Sequence, residues 1–559
     1  MQIGTEERKG KKMIFIILAY ILTGLLYLIL WYSSLPWFTP LIAVVPFLWA
    51  EDQLSEYKRP KTYNFLLTTL CFIIISVCSY GWIIRIFDWW EETYEIVNAS
   101  TYSAALLVAT YFVVNSMIYA AVAVIYSIVK EKIGRNVWGY SSFIIIFTAF
   151  EHLYNNLEFA FPAIRGGIAM VNGDNWHLQW YEYTGIEGGT IWMLSANVFI
   201  YLALKKYIET RDIKRCARKI AVALSIAIAP AVISLIMYNK YEERGQDTEV
   251  VMVQPNYMFN NKFEGNREEQ LHKMLKAGRN ASTPNTKFII LPETAIAGNI
   301  WANNLGENPM IQEIHDTIMS MGGEVSILTG ADMMEYTISR EAPSNVAMQA
   351  NDSIYVEFFN AAILVDAENA QYYKKSKRVP WVENNPLAAL KNKEKGNINN
   401  LLIGTQKEPT IMFNKNGNIA SIICFESMYG EYVSEFVKKG AEAIFVITND
   451  GWWNGTNEPE QHKRLNQIRA IENRRDVARC GNTGITTFIN QRGDEVSRAE
   501  WWTDTTLRGN VKMNNKLTFY SKHGDWIGII ALILCLAYPA VAVKKRFAKP
   551  AVKGKKKKK

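Results

Sequence analysis

Long apolar runs at the start of this 559-residue chain constrain its fold more than any other feature. A helix needs about 20 predominantly apolar residues to cross the hydrocarbon core of a bilayer. Eight stretches approach that length, although the second and the fifth are short, and a basic tail follows the last one. The sequence therefore predicts membrane helices over residues 13–31, 38–50, 63–84, 102–129, 137–150, 190–204, 220–238 and 526–543.

The distribution of Lys and Arg predicts how these helices are oriented. Short loops rich in Lys and Arg stay on the cytoplasmic side of a membrane. With the N-terminus inside, the basic segments 58–61, 130–135 and 205–219 all fall in cytoplasmic loops, whereas the opposite loops contain little beyond Arg85 and Arg165. We therefore expect the large polar segment after the seventh helix to lie outside the cytoplasm.

Composition divides the chain into membrane and polar segments. Much of the net charge of +8 lies beside the apolar runs, which favours contact with lipid headgroups over nucleic acid. The six cysteines show no spacing typical of a metal site, and neither a metal nor an organic cofactor is expected. The predicted segments are a basic cytoplasmic N-terminus (1–12), a membrane domain of about seven helices (13–240), an exterior domain (245–520), a last membrane helix (524–543) and a basic cytoplasmic tail (544–559).

Short β-branched runs alternate with helical patterns in the exterior domain. Such alternation favours a layered α/β fold. Strands are predicted over residues 249–253, 288–291, 325–329, 361–365, 419–424, 443–447 and 486–489, and helices over 267–279, 309–321, 432–439 and 461–477.

Three residues of this domain are candidates for chemistry. Cys424 and Glu293 each follow an apolar run directly, and a nucleophile at a strand end is held by the strand while following backbone N–H groups can stabilise an oxyanion. Taken singly, each residue has an ordinary interpretation. Cys424 is then a small buried side chain, Glu293 a solvated turn carboxylate, and Lys375 one member of a basic patch.

In this order, the segments resemble the apolipoprotein N-acyltransferases, the membrane branch of the nitrilase (carbon-nitrogen hydrolase) superfamily. The resemblance implies a multi-pass α-helical membrane domain joined to a nitrilase-like αββα sandwich, in the bacterial cytoplasmic (inner) membrane with its catalytic domain facing the periplasm. It rests on Leu291-Pro292-Glu293-Thr294-Ala295, Asn360, Tyr373 with Lys375, Val379-Pro380 with Glu383, Cys424-Phe425-Glu426-Ser427, Asn449-Asp450-Gly451-Trp452, and Gln461-His462.

The resemblance also implies a mechanism in which Glu293, Lys375 and Cys424 are the catalytic residues. Glu293 would remove the thiol proton, in a partly desolvated site that raises its proton affinity, and Lys375 would stabilise the thiolate and the oxyanion. Cys424 would carry an acyl chain from a phospholipid to the N-terminal amine of the diacylglyceryl-cysteine of an apolipoprotein. The expected partners are these two substrates and the bilayer, with no nucleic acid, and the chain is expected to be a monomer.

Further residues are expected to support this site. Glu383 and Glu426 would hold Lys375, although Glu426 is equally well explained as a carboxylate at a helix N-terminus. The tryptophans after Asp450 would line the acyl pocket or simply pack, and His462 is interpreted as structural. The supporting residues are Glu383, Glu426, Asn360 and Phe425, whose backbone N–H would be an oxyanion donor, and the substrate-binding residues are Trp452 and Trp453.

Two other functions remain open from the sequence. A membrane-anchored nitrilase-type amidase acting on a small amide would use the same three residues, and a non-catalytic lipid-binding protein would need none of them. The family's Pro-Phe-Gly-Glu segment is Pro380-Trp381-Val382-Glu383 here, which affects the expected pocket shape. Cys480 is expected to be a core residue, with both its thiol and that of Cys424 free.

Overall fold

The computed structural model describes most of the chain. The residues between Glu383 and residue 403 and most of the basic tail lie outside the described residues. The described residues are 2–32, 36–80, 99–157, 164–171, 174–258, 265–380, 403–453 and 456–547, together with Ala160, Pro162, Lys262 and Glu383.

Long helices form the first part of the chain and its C-terminal end. Within the described residues, five of them are long and apolar enough to cross a membrane, as expected for a membrane protein. The helices of this part are α1 (Gln2–Tyr32), α2 (Val45–Leu54), α3 (Pro60–Tyr80), α4 (Ala99–Ile133), α5 (Val137–Asn155), α6 (Gly166–Ala169), α7 (Tyr181–Thr210), α8 (Ile213–Lys240) and, at the other end of the sequence, α14 (Trp526–Phe547).

The helices predicted over residues 38–50 and 190–204 differ from the observed ones in ways that affect the fold. The apolar run predicted as one helix over residues 38–50 is divided into a 3₁₀ turn, Thr39–Ile42, and α2. With ten residues, α2 is about 15 Å long, half of the hydrocarbon thickness. Helix α7 begins before the predicted residue 190 and contains a kink at Gly185, whose φ is 61°. A Cβ atom there would lie 2.3 Å from the ring of Tyr520, so this contact between the membrane helix and the α/β domain requires glycine.

The α/β domain contains two sheets and the helices that cover them. The first sheet has the order β13-β1-β2-β4-β6-β5, with β3 beside β4 and β7 beside β6, and the second has the order β12-β11-β10-β9-β8. The strands are β1 (Gln246–Gln254), β2 (Thr286–Ile290), β3 (Ile296–Trp301), β4 (Ser326–Ile338), β5 (Met348–Asn351), β6 (Ile354–Val365), β7 (Ala370–Lys374), β8 (Ile419–Ile423), β9 (Ala443–Thr448), β10 (Val477–Gly481), β11 (Thr487–Ile489), β12 (Glu495–Arg498) and β13 (Thr505–Met513). The helices are α9 (Arg267–Ala281), α10 (Pro309–Ser320), α11 (Gly430–Lys438), α12 (Glu458–Asn473) and α13 (Phe519–His523).

The two sheets pack face to face, with helices on their outer faces. Val250 and Met252 of β1 belong to the core shared with the second sheet, whereas Val251 and Val253 belong to the core under α9 and α10. Strands β1, β2 and β4 run parallel, as do β8, β9 and β10. Parallel strands buried on both faces consist of nearly continuous apolar residues, which explains why the sequence showed them clearly.

The α/β domain lies directly on the membrane helices. The buried side chain of Arg474, at the end of α12, donates to Glu182 at 2.5 Å and to Gln179 at 2.7 Å. The backbone N–H of Ile186 donates to Glu472 at 3.1 Å. Helix α7 therefore meets the α/β domain at its first turns and extends away from it.

Candidate active site

The turn that carries Glu293 is held against strand β4. Glu293 lies three residues after the end of β2 at Ile290, and its neighbour Pro292 accepts a hydrogen bond from the backbone of Gly330 at 3.1 Å. A Cβ atom on Gly330 would lie 2.5 Å from the nitrogen of Thr294 and 2.7 Å from the Cα of Glu293. The absence of a side chain at Gly330 thus allows the turn to approach the sheet and fixes the direction of the carboxylate.

Lys375 extends from the end of strand β7 into the same buried space. Its backbone N–H donates to the carbonyl of Asn360 on β6 at 2.8 Å, which anchors it to the sheet. Its Nζ donates to Glu293 at 3.1 Å and to Glu383 at 2.7 Å, and only 1% of the residue is exposed. The side chain of Asn360 donates to Glu293 at 2.8 Å. The predicted partners Asn360, Glu293 and Glu383 therefore all contact this lysine or each other.

Cys424 lies where strand β8 enters the 3₁₀ turn Cys424–Met428. Its φ is 51°, a left-handed conformation that non-glycine residues rarely adopt and that is found disproportionately at functional sites. Its carbonyl oxygen accepts hydrogen bonds from the Ser427 hydroxyl and from His462 Nε2, both at 3.0 Å. The surrounding side chains thus hold the backbone that directs the thiol.

Electrostatic interactions connect the three predicted residues. Burial disfavours both ions, but their attraction is stronger: it holds the pKa of Glu293 below its usual value and, together with Glu383, the pKa of Lys375 well above its own. Burial, with the charge of Glu293, raises the pKa of the Cys424 thiol, while Lys375 opposes that increase. The expectation that the site raises the proton affinity of Glu293 is therefore wrong for this state, because Lys375 lies within hydrogen-bond distance.

Glu426 matches the second of its two predicted interpretations, since it lies in the first turn of the 3₁₀ turn Cys424–Met428. Its carboxylate accepts hydrogen bonds from the Tyr373 hydroxyl at 2.6 Å and from the backbone of Ser376 at 2.7 Å, on the segment that follows β7. It also accepts from the backbone of Ile423 at 2.9 Å, directly before the turn Cys424–Met428. Burial raises the pKa of Glu426 to about 7. It therefore ties the backbone beside Lys375 to the turn of Cys424, rather than holding the ammonium itself.

The aromatic residues near the cysteine are packed into the protein. Phe425 is fully buried, with its ring edge-to-face with Tyr429 at 5.8 Å. Trp453 is 3% exposed and packs edge-to-face with His462 at 5.1 Å. Trp452 lies in the 3₁₀ turn Asp450–Trp453, and its side chain is outside the described part of the structure. The ring of Trp453 thus contacts His462, which in turn bonds to the backbone of the Cys424–Met428 turn.

A buried polar chain behind the cysteine was not predicted. Arg479 donates to both carboxylate oxygens of Asp450, at 3.0 and 2.7 Å, and to Nδ1 of His462 at 3.0 Å. Because Nδ1 accepts this bond, the ring proton lies on Nε2 and is donated to the carbonyl of Cys424. Burial lowers the pKa of His462, which keeps the ring neutral. The motifs that contain His462 and Asp450 are visible in the sequence, but neither motif indicates a contact with Arg479.

Lys262 is a second unpredicted residue of the site. Its Nζ donates to the backbone carbonyl of Glu293 at 2.8 Å, and 2% of the residue is exposed. Burial lowers the pKa of Lys262 to about 8, partly offset by the charges of Glu293 and Asp332. Lys262 therefore fixes the main chain of the Glu293 turn. A single lysine between Asn261 and Phe263 gave no sequence signal for this contact.

The second cysteine of the domain is part of the core. Cys480 lies in β10, is fully buried, and its thiol donates to the carbonyls of Val253 and Ile290 at 3.2 and 3.3 Å. Both Cys424 and Cys480 are free thiols. Cys480 therefore offers a second buried thiol of the same domain for comparison with Cys424.

One group of side chains has the composition of a metal site. His152, Glu187 and Asp525 have potential ligand atoms within 4.8 Å of one another. These atoms are already engaged: His152 bonds to Glu187 at 2.7 Å, Glu187 accepts from the backbone of Gly528 at 2.6 Å, and Asp525 accepts from Tyr520 at 2.6 Å. The group thus links α5, α7 and α14 by internal hydrogen bonds.

Comparison with known proteins identifies the α/β domain. Residues 250–515 match the carbon-nitrogen hydrolase family. The α/β domain is therefore similar to the members of this family. The predicted fold class, a multi-pass helical membrane domain with a nitrilase-like α/β domain, is confirmed.

Relatives extend the similarity into the membrane helices. The chain is 27% identical over 525 residues to the apolipoprotein N-acyltransferase of Chlorobaculum tepidum, covering 88% of this chain and 91% of the relative. It is 26% identical over 462 residues to that of Pasteurella multocida, covering 80% and 82%. Among solved structures, Saccharomyces cerevisiae Nit3, a member of branch 10 of the nitrilase superfamily, is 14% identical with a TM-score of 0.32, covering 56% of this chain and 97% of its own. The predicted resemblance to apolipoprotein N-acyltransferases is thus confirmed.

Proposed function

We propose that this protein is a membrane-bound N-acyltransferase that completes lipoprotein maturation. It transfers an acyl chain from a phospholipid to the N-terminal amine of the diacylglyceryl-cysteine of an apolipoprotein. The observation that carries the proposal is the buried group of Glu293, Lys375 and Cys424 in a carbon-nitrogen hydrolase domain that lies on membrane helices. The names and coverage of the relatives support the same reaction.

The chemistry follows from the residue types. The Cys424 sulfur attacks the ester carbonyl of the phospholipid as Glu293 accepts the thiol proton, and Lys375 stabilises the oxyanion of the tetrahedral intermediate. The ester C–O bond then breaks, Glu293 returns the proton to the lysophospholipid oxygen, and a thioester remains on Cys424. In the second half, the amine attacks the thioester carbonyl as Glu293 accepts its proton; the C–S bond breaks, Glu293 returns the proton to the Cys424 sulfur, and the N-acylated product leaves.

The proposed location follows the predicted topology. Residues 245–520 are the catalytic domain and face the periplasm, and the membrane helices anchor it in the cytoplasmic membrane of a bacterium. Both substrates carry acyl chains, so a site that lies against the bilayer meets them without extracting either from it. The protein acts as a monomer, with the phospholipid, the apolipoprotein and the bilayer as its partners.

Intact-protein mass spectrometry after incubation with phospholipid tests the proposal. The wild-type protein should gain the mass of one acyl chain, and hydroxylamine should remove it because thioesters are cleaved by this reagent. Cys424→Ala should gain nothing. Cys480→Ser is the matched control, because it removes the other buried thiol of the domain while a hydroxyl can still donate to Val253 and Ile290, and it should acylate normally.

Two results would contradict the proposal. An adduct that persists in Cys424→Ala would place the acyl group on another residue. A folded wild-type protein that gains no mass from phospholipid, but hydrolyses small amides, would support the amidase alternative. The acceptor is then tested with a synthetic diacylglyceryl peptide, whose free amine should become acylated.

A further inference from the structure

The membrane domain contains a charged region far from the α/β domain. Ile186, whose backbone N–H bonds to Glu472 of the α/β domain, and Lys205 both lie on α7 after its kink at Gly185. At 1.5 Å per residue, the helix places them about 28 Å apart. This distance is close to the ~30 Å thickness of a bilayer's hydrocarbon core, so Lys205 lies at the headgroup level of the opposite membrane surface.

A cavity of about 460 Å³ opens beside Lys205. One wall is apolar, formed by Val45 and Trp49 of α2 with Leu204 and Ile208 of α7. Leu204 is 46% exposed and Ile208 is 55% exposed, on a helix that is long and apolar enough to cross the membrane. The cavity is therefore open to the region where acyl chains of lipids lie.

The floor of the cavity is a buried and charge-balanced group. Lys130 forms ion pairs with Glu51 and Asp52 and is 1% exposed. Asp52 also accepts hydrogen bonds from Tyr140 and Tyr201, both at 2.5 Å, and from Lys205 at 2.6 Å. Two lysines thus face two carboxylates, which leaves no anionic charge for a bound cation.

The lining of the cavity contains three carboxylates, Asp52, Glu56 and Glu209, and two cations, Lys205 and Arg135. Each carboxylate has a basic partner: Asp52 pairs with Lys130 and Lys205, Glu56 with Lys12 and Glu209 with Lys206. Arg135 also lines the cavity, and it makes no ion pair with any residue that the structure describes. An anion bound here would therefore neutralise a charge that the protein leaves uncompensated.

The available donors match a phosphate group. An ammonium has three N–H donors, and Lys205 directs two of them to Asp52 and to Tyr140, both at 2.6 Å, while 30% of its side chain remains exposed. The guanidinium of Arg135 offers a planar pair of donors that suits phosphate oxygens. Basic pockets between membrane helices at a membrane surface are suited to phospholipid headgroups.

We propose that this cavity is a second lipid site, which binds the phosphodiester of a phospholipid headgroup between Lys205 and Arg135 with an acyl chain along Val45 and Leu204. The site is separate from the acylation site, because the length of α7 lies between them. A lipid here fills the space between α2 and α7 and stabilises the helix bundle from the side opposite the α/β domain.

Native mass spectrometry of the full chain in detergent, titrated with dioleoylphosphatidylglycerol, tests this site. Arg135→Ala should weaken the binding of one lipid at least about fivefold, the loss of one lipid–cation contact. Leu204→Trp, which fills the apolar wall without changing charge, should weaken it as well. Arg218→Ala removes an exposed charge at the same end of the bundle, outside the cavity, and should bind as the wild type does.

Thermal unfolding of each variant first establishes that it is folded. Equal lipid binding by Arg135→Ala, Leu204→Trp and the wild type would overturn the proposal, and so would an equal loss with Arg218→Ala. Competition with glycerol 1-phosphate distinguishes the two sources of a bound phosphate group. If glycerol 1-phosphate displaces the lipid when both are present at the same millimolar concentration, the occupant is a soluble phosphate ester and the lipid assignment is wrong.

Discussion

The ion pair of Glu293 and Lys375 determines how the proposed nucleophile is activated. A carboxylate with a lowered pKa is a weak base, and a buried thiol with a raised pKa is a weak acid. Proton transfer between them is therefore unfavourable in the resting site. It becomes favourable when the substrate's oxyanion forms, because that charge then interacts with Lys375 and the pair with Glu293 weakens.

Glu293→Gln should lower the rate of thioester formation by roughly 10²–10⁴-fold, the range for loss of a general base. The amide keeps the shape of the side chain, and Lys375 keeps its bond to Glu383. Rapid-mixing mass spectrometry with phospholipid measures the rate. Glu335→Gln is the control, since Glu335 pairs with the neighbouring Lys374 at 2.6 Å. Thioester formation at the wild-type rate in Glu293→Gln would exclude the proposed base.

Glu458→Gln should become more stable relative to the wild type as the pH rises. Burial raises the pKa of Glu458 to about 8, whereas an unfolded glutamate titrates near 4.3. Between these values the folded wild type retains a proton that the unfolded chain releases, so its stability falls by up to about 1.4 kcal/mol per pH unit. Glutamine does not titrate and avoids this loss.

Thermal unfolding at pH 5, 6.5 and 8 measures the effect of Glu458→Gln. The difference in stability should increase up to about pH 8 and then level off. The exposed Glu368→Gln variant should follow the wild type throughout. A difference that is independent of pH would show that Glu458 is not held protonated.

Some residues of the site were predictable and others were not. The positions of Glu293 and Cys424 after apolar runs were visible in the sequence, because each run is a buried strand. The role of Glu426 as a tie between two backbones, and the chain from Asp450 through Arg479 to His462, depend on residues that only folding brings together. The pKa of Glu293 could not be predicted because it depends on the distance to Lys375.

Strands β4 and β6 show the same division at the level of elements. The sequence predicted only the ends 325–329 and 361–365, which are fully buried. The structure continues the antiparallel ladder through twelve residue pairs, from Ile327–Val365 to Ile338–Ile354. The outer part of each strand is only partly buried, and carboxylates (Asp332 and Glu335 in β4, Glu357 in β6) interrupt its apolar residues, so it lacks the continuous apolar run that indicates a core strand. The predicted helix over 461–477 likewise began too late and ran into β10, because the buried polar residues of α12 hide its boundaries.

Gly330→Ala should displace the Glu293 turn and reduce both stability and thioester formation. The added Cβ would meet backbone atoms at 2.5 to 2.8 Å, which cannot move independently of the sheet. Overpacking of this kind costs about 2 kcal/mol. Thermal unfolding and acylation measure the two effects. In Gly306→Ala the new Cβ has no neighbour within 4 Å, so both properties should be unchanged. Normal acylation by Gly330→Ala would show that the turn tolerates a shift.

The contact between α12 and α7 joins the two parts of the molecule. Arg474 is buried at this contact and binds Glu182, Gln179 and the carbonyl of Gln491. The α/β domain is therefore held at a fixed height and orientation above the helices. The apolar runs predicted both parts from the sequence, but the contact depends on polar residues and was not predicted.

Arg474→Met should destabilise this contact by about 3 kcal/mol or more, because it leaves Glu182 without its buried partner. The linkers at both ends of the α/β domain should then become more sensitive to protease. Limited proteolysis of the purified protein measures this. Arg498→Met removes a more exposed ion pair with Glu460 and should be cut like the wild type. Equal resistance of Arg474→Met would mean that other contacts hold the domain.

The pairing of the first and last strands of the α/β domain has a consequence for its origin. Strands β1 and β13 are antiparallel neighbours, with Gln246 opposite Met513, so the domain begins and ends at the same place. A unit with adjoining ends can be inserted into a loop between two helices without separating them. A single genetic insertion between α8 and α14 would therefore have been enough to give a membrane bundle an enzyme domain, and the reverse deletion would leave a helical protein with its chain order intact.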